Sequence, residues 1–170
     1  MLQTGKQSVG SILVRSDAFE DGHAIPRDHT ADGEDASPSL IWSRVPEGTQ
    51  SLALICDDPD AMTLQPWVHW VLYNLPGTLT LLPPRLPRAA TLERPASVAG
   101  ALQGKNSWTS MNLGYRGPNP PAGKAHRYRF HLFALDTKLD VPPGIDKNAL
   151  IIAMRGRILG EGTLTGTYKK

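Results

Sequence analysis

The sequence holds a single cysteine, Cys56, in 170 residues. That excludes an intrachain disulfide framework and any multi-cysteine zinc or iron–sulfur site. It also lacks a charge excess, since 18 Lys+Arg stand against 16 Asp+Glu for a net +2 at pH 7. A nucleic-acid surface needs a stripe of phosphate-neutralising side chains and shows as a basic surplus, so nucleic acid is not an expected partner. No stretch approaches the ~18 apolar residues of a membrane-spanning helix. Met1-Leu2-Gln3-Thr4-Gly5-Lys6 carries a positive charge with no apolar run behind it, so no secretory signal is read there and a cytoplasmic location is expected. There is no internal repeat.

What is present suffices for a core. Hydrophobic residues make up 40% and charged residues 20% of the chain, a balance that does not read as disorder. The length suits one domain, residues 1–170. Sixteen glycines and fifteen prolines predict many turns and few long helices.

The apolar runs are short and bounded by Pro, Gly and Asp, which signals strands. Strands are expected over Ser8–Val14, Leu40–Trp42, Ser51–Cys56, Trp67–Asn74 and His126–Leu135. Glu20–Ser39 reads as a long surface loop in which His23 and His29 are solvated. Gly77–Lys124 has no regular pattern, and Pro83, Pro84, Pro87 and Pro95 exclude a helix or central strand from its first half. Trp108, Met111 and Tyr115 require its second half to pack against something. Asp146 reads as the N-cap of one short helix with Ala149, Leu150, Ile152 and Ala153 on its apolar face. Arg157–Tyr168, alternating glycine with larger residues, is a weak terminal strand. The expected fold is mainly β with a minor helical part near the C-terminus.

Three clusters can carry chemistry. Asp57-Asp58-Pro59-Asp60-Ala61 ends a buried strand, and turn chemistry alone makes Asp57 and Asp60 solvated carboxylates. Three carboxylates in four residues exceed what a turn needs, so one is expected to point inward. In Trp67-Val68-His69-Trp70-Val71-Leu72-Tyr73, alternation places Trp67, His69, Val71 and Tyr73 on one face and Val68, Trp70 and Leu72 on the other. A lone buried histidine is more often a satisfied structural residue than a ligand. The third cluster is the proline-stiffened loop Gly114–Ala125, which feeds a strand whose His126, Tyr128, Phe130 and Leu132 share a face. His126 then sits where a rigid loop meets the core, the usual setting of a concave, mostly apolar small-molecule pocket.

Asp58-Pro59-Asp60-Ala61, Trp67-x-His69 and Gly117-Pro118-x-Pro120-Pro121-x-Gly123-x-x-His126-Arg127-Tyr128 together resemble the phosphatidylethanolamine-binding protein family. The likeness is greatest to its bacterial branch, often called Raf-kinase-inhibitor-like. Ile25-Pro26 through Asp32-Gly33, Ser37-Pro38-x-Leu40-x-Trp42, Gly104-Lys105-Asn106-Ser107 and Gly166-Thr167-Tyr168 also match that branch, in order along nearly the whole chain. One departure is Met62, where the family usually has proline. The resemblance implies a large antiparallel sheet packed on a smaller one, with short helices near the C-terminus. It implies a pocket for phosphate or phosphoryl head groups lined by Asp58, His69 and His126, walled by Tyr128, Pro120 and Pro121. It also implies a homodimer, for which Gly77–Asn112 with Trp108 offers a surface. No catalytic residue, metal or other cofactor is expected.

Two charged imidazoles facing one phosphate would make short charge-assisted contacts. A neighbouring Asp58 carboxylate would raise their pKa values and favour a monoanion, or a protonated phosphate oxygen that donates to Asp58. Three other readings stay open. Two His and one Asp are the ligand types of a metal site, although their spacing decides nothing. A hydrolase built on an Asp–His pair lacks a visible nucleophile, since Cys56 lies in an apolar run and no Gly-x-Ser-x-Gly elbow is present. Some relatives regulate kinases or proteases, so an interaction module with a protein partner is the third.

Overall fold

A computed structural model describes residues 8–170. The segment Met1–Lys6, read above as lacking a secretory signal, lies outside the described residues. The described elements run β1 (Gly10–Ser11), β2 (Leu13–Arg15), β3 (Leu40–Ser43), β4 (Ser51–Asp58), β5 (Trp67–Pro76), β6 (Leu81–Leu82), β7 (Leu102–Gln103), β8 (His126–Leu135), α1 (Lys147–Met154) and β9 (Ile158–Tyr168), with single 3-10 turns at Arg27–His29 and Ala96–Val98. No helix among the described residues is long and apolar enough to cross a membrane.

Six strands form one sheet in the order β1-β9-β8-β4-β5-β7, and β2-β3-β6 form a second. The large sheet is antiparallel except at its edge, where β1 runs parallel to β9 with Gly10 opposite Gly160. No hairpin joins β1 to its neighbour, so nothing forces the antiparallel sense there. The expected single strand over Ser8–Val14 is split at Ile12, and its two halves join different sheets. That crossing explains a glycine in β9, because a Cβ on Gly162 would collide with the Ile12 carbonyl. The alternating glycines therefore do not weaken β9, which pairs with β8 from His126↔Tyr168 to Leu135↔Ile158.

Two apolar layers follow. Leu52, Leu54, Trp70, Leu72, Phe130 and Leu132 of the large sheet meet Val14, Leu40, Trp42 and Leu82 of the small one. On the opposite face Ala53, Ile55, Val71 and Tyr73 pack under α1 through Leu150 and Met154. The helix begins as expected, with the Ala149 N–H donating to Asp146 Oδ1 at 2.8 Å. Its buried stripe is narrower than expected: Leu150 and Met154, one turn apart, are buried while Ile152 is 60% exposed.

β4 runs two residues beyond Cys56 and carries Asp57 and Asp58 to opposite faces of the sheet. Asp57 is not a solvated turn carboxylate. It is buried on the helix side, where it accepts from Arg129 Nε at 2.9 Å and Lys147 Nζ at 2.6 Å, with His131 Nε2 at 3.6 Å. Burial alone would raise its pKa, but nearby His131 and the hydrogen bonds from Arg129 and Lys147 prevail and hold it well below the usual carboxylate range. This cluster ties the first turn of α1 to the sheet.

Candidate functional site

Strand β5 does not alternate cleanly. Its register with β4 pairs Cys56 with Trp70 but Asp57 with Val68, which leaves His69 as an extra residue. Such a bulge re-aims side chains. Trp70 joins the layer between the sheets, and Val71 and Tyr73 join the helix side. His69 lies with Trp67 in a hollow at the end of the sheet, on the same side as Trp70. The single face expected for Trp67, His69, Val71 and Tyr73 is thus broken by the bulge. Strand β8 does alternate, and His126 and Tyr128 reach the hollow from the face that carries Phe130 and Leu132 into the core.

The end of β4 supplies Asp58. The His126 Nδ1–H donates to its Oδ2 at 2.7 Å, and the Asp60 backbone N–H donates to its Oδ1 at 2.8 Å. Asp60 turns outward and accepts from the Arg127 backbone N–H, Nε and Nη2 at 2.8–2.9 Å. The Arg127 hydrogen bonds lower the Asp60 pKa to about 2. Asp58, His69 and His126 are all brought together here, joined by Tyr128, whose ring packs edge-on to His69 at 5.0 Å.

His69 is fixed by an element far away in the chain. A carbonyl can only accept, so its Nδ1 carries a proton and donates to the Arg116 carbonyl at 2.6 Å. Burial drops its pKa from 6.5 to about 4, against the opposing pull of that carbonyl and of Asp58. His69 is therefore a neutral ring near pH 7, and the expectation of two charged imidazoles is corrected. Desolvation outweighs the carboxylate because the ring is only 3% exposed.

Arg116 lies over Trp108 at 4.8 Å, and Trp108 packs edge-on to both Trp67 and His69. Trp108 is thus covered within its own chain and does not need a second subunit for that. Asp35 stands behind this wall. Its Oδ1 accepts from the Gly117 N–H at 2.6 Å, and its Oδ2 lies 2.6 Å from Arg88 Nη2 and 3.3 Å from Arg116 Nε. A Cβ on Gly117 would collide with the His29 carbonyl, which itself accepts from the Tyr115 hydroxyl at 2.6 Å. His29 is half-buried and donates from Nδ1 to the Ala36 carbonyl, not solvated as expected.

The hollow encloses about 220 Å³. Asp58, His69, His126 and Tyr128 line it, with Pro120, Pro121, Asn119, Trp67 and Trp108 as walls and Ala61 and Met62 at the rim. All six site residues expected from the sequence lie on it. Met62 is 93% exposed and lends the rim an apolar side chain where the family's proline would stand. The Tyr128 hydroxyl is buried without a hydrogen-bond partner among the described residues. Burial and the nearby Asp58 charge raise its pKa well above the ordinary phenol value. Asp35, Arg116 and Arg88 were not expected. Their side-chain hydrogen bonds and ion pairs span 27 to 82 residues of chain, so no local pattern announces them.

The polar inventory is then specific. Both Asp58 oxygens already accept, His126 has Nε2 free to meet a ligand, and His69 presents an Nε2 lone pair. His126 engages Nδ1 with Asp58 and His69 engages Nδ1 with a carbonyl, which leaves the Nε2 of each ring without a protein partner. Among the described residues no group of three His, Cys, Asp or Glu side chains is arranged to hold a cation. Cys56 is buried in the core, and burial pushes its thiol pKa well up, away from nucleophilic reactivity.

The family model for phosphatidylethanolamine-binding protein matches residues 15–169. The chain belongs to this family. Within it, a UPF0098 protein of Methanothermobacter thermautotrophicus is 47% identical over 92% of this chain and 98% of its own length. A UPF0098 protein of Aquifex aeolicus is 40% identical over 95% of this chain and 91% of its own. Among solved structures, E. coli YbcL, described as a member of the mammalian PEBP family, superposes with a TM-score of 0.83 at 33% identity. A putative PEBP homologue from Chlamydia trachomatis superposes at 0.80 with 34% identity, and each covers 95% of this chain and is itself 99% covered. The PEBP fold of the chain follows from these likenesses and from its two sheets with one short C-terminal helix.

Proposed function

We propose that this PEBP-family chain is a binding protein for small anions, and that its hollow takes a free phosphate or a phosphoryl head group. The observation that carries this reading is the Asp58–His126 pair in a hollow that His69 and Tyr128 also line, with the Tyr128 hydroxyl buried and unpaired among the described residues. A buried polar group without a partner loses free energy unless something arrives to satisfy it, and a phosphoryl oxygen does so. The proline-stiffened rim keeps the space open before a ligand enters. At about 220 Å³ the hollow falls below the ~300–1,000 Å³ of pockets that hold drug-sized ligands, so it suits a head group and not acyl chains.

The proposed role is binding without turnover. Asp58 and His126 form a base pair of the kind hydrolases use, but no Ser, Thr or Cys lines the hollow beside them. Isothermal titration calorimetry with inorganic phosphate and phosphoethanolamine tests the reading. The wild-type protein should bind at least one of them, and H126A should bind at least about tenfold more weakly. Absence of binding in the wild type would overturn it.

A second reading, regulation of a protein partner through the rim, is favoured by Met62, 93% exposed at the rim, and by Leu64, two residues on and 102% exposed. A stoichiometric partner recovered by pull-down and lost with a double Met62→Ser, Leu64→Ser variant would support it. The homodimer belongs to the same reading. It is supported by β6, the edge strand of the small sheet, whose Leu81 is 47% exposed. Small-angle scattering decides it by the mass in solution.

A further inference from the structure

We propose that the strap of residues 61–65, at the tip of the β4–β5 hairpin, is a lid. It stands open beside an empty hollow and folds onto the mouth once an anion is bound, bringing Met62 and Leu64 against the indoles of Trp67 and Trp108. The inference rests on the anion-binding reading above and adds a moving part to that site.

Asp58 and Trp67 are the last residues that β4 and β5 pair, so residues 59–66 project beyond the sheet at the edge of the hollow. Pro59 and Pro66 bracket the tip, and no proline falls between them. The backbone is therefore stiff at both ends and keeps its torsional freedom in the middle. The ends are also pinned. The Asp60 N–H donates to Asp58 Oδ1 at 2.8 Å and the Asp60 carboxylate holds Arg127, while Trp67 packs edge-on to Trp108 at 5.4 Å. The strap between them makes no hydrogen bond to any other part of the described chain. Its own bonds are internal, from the Thr63 N–H to the Ala61 carbonyl at 2.8 Å and from the Thr63 hydroxyl to the Gln65 carbonyl at 2.6 Å. A segment anchored at its ends and unattached between them can swing at little cost.

The strap carries apolar side chains with nothing to cover them. Met62 is 93% and Leu64 102% exposed, more than any other large apolar side chain among the described residues. Ala61 and Met62 already border the mouth, and Trp67 and Trp108 share its lining. A thioether packs well on aromatic rings. Taking these side chains out of water favours closure in proportion to the apolar area buried. The polar interior opposes closure while the hollow is empty. The Tyr128 hydroxyl and the Nε2 atoms of His69 and His126 have no protein partner, and a shut lid would cut them off from water unsatisfied. A bound oxyanion gives the Tyr128 hydroxyl an acceptor and weakens that opposition. Occupancy and closure are thereby linked, and each favours the other by the same factor.

Hydroxyl-radical footprinting of the full chain, read by mass spectrometry, tests the lid. The probe is inorganic phosphate at saturation, or phosphoethanolamine where calorimetry shows that phosphate itself does not bind. Met62 and Leu64 should label freely without the anion, and both should lose reactivity several-fold with it. Met111, 67% exposed and not on the hollow, should keep its rate and so controls for radicals quenched by the anion. Leu64 decides the matter, because it does not line the hollow. An anion that only fills the space shields Met62 and leaves Leu64 unchanged, and that result overturns the lid while the anion reading survives. Low reactivity of Leu64 before the anion is added overturns it as well. A double Met62→Ser, Leu64→Ser variant should bind the anion several-fold more weakly through faster release, and wild-type affinity there also overturns the lid. Failure of both anions to bind the wild type overturns the parent reading and this one with it.

Discussion

Asp58 and His126, 68 residues apart in the chain, meet through one hydrogen bond of 2.7 Å at the floor of the hollow, and a third member of the same floor, Tyr128, is left unpaired. The imbalance has a measurable consequence. In Y128F the buried hydroxyl disappears together with its desolvation penalty, so the ligand-free protein should be unchanged or more stable, by up to about 1–3 kcal/mol. Phosphate affinity should fall in the same variant. Thermal melts with and without phosphate check both signs, and a large loss of ligand-free stability would contradict the unpaired state of that oxygen.

Acid should destabilise the protein through His69. Its folded pKa, about 4, lies below the ordinary 6.5. The unfolded chain therefore binds a proton that the folded one refuses between these values. The stabilising effect is complete above about pH 6.5 and is lost as pH falls toward 4, with a magnitude on the order of 3 kcal/mol. Urea titrations across that window should show the slope in the wild type and a flatter curve in H69Q. The carboxylates with depressed pKa values, Asp57 and Asp60, act lower, since their contribution is full above the ordinary carboxylate value of 3.8 and is lost progressively as pH falls from there through their lowered range.

Asp35 should affect ligand affinity without touching ligand. It holds the Gly117 N–H, Arg88 and Arg116, and through Arg116 it sets the carbonyl that orients His69. D35N should weaken phosphate binding several-fold and should blur the His69 tautomer in the 15N spectrum. Retention of both would show that the wall is rigid without it. G117A forces a Cβ onto the His29 carbonyl and should cost about 2 kcal/mol or more of stability.

Asp57, the neighbour of Asp58 in β4, should behave in the opposite way. It faces α1 and pairs with Arg129 and Lys147. D57A strands those cations and should lower stability on the order of 3 kcal/mol. Phosphate affinity measured on the folded fraction should stay within about twofold, because the sheet stands between Asp57 and the hollow. An affinity loss as large as that of H126A would break the assignment of the two carboxylates to separate duties.

The contrast between these neighbours shows what the sequence can disclose. The strands with clear apolar runs were legible, and so was the alternation of β8, because its register with β9 and β4 has no fault near His126. The facing of β5 was not legible, because a bulge at His69 depends on how Cys56 and Asp57 pair across the strand and leaves no mark on the residues themselves. The six expected site residues were found through motifs. The buried Asp57 and the supporting Asp35 were not, since turn chemistry describes only near neighbours. Charge on His69 was misjudged for a related reason: a nearby carboxylate is visible as a residue type, but the depth of burial that outweighs it is a property of the assembled fold.

The parallel pairing of Gly10–Ser11 with Gly160–Glu161 sets an order of events. Strand β9 lies between β1 and β8. The large sheet therefore cannot close during synthesis until Ile158–Tyr168 has left the ribosome, and until then β8 shows an open edge toward any passing chain. Folding that waits on contacts between the two ends of the molecule is intrinsically slow. Truncation within β9 should yield an aggregating product and not a smaller working binder.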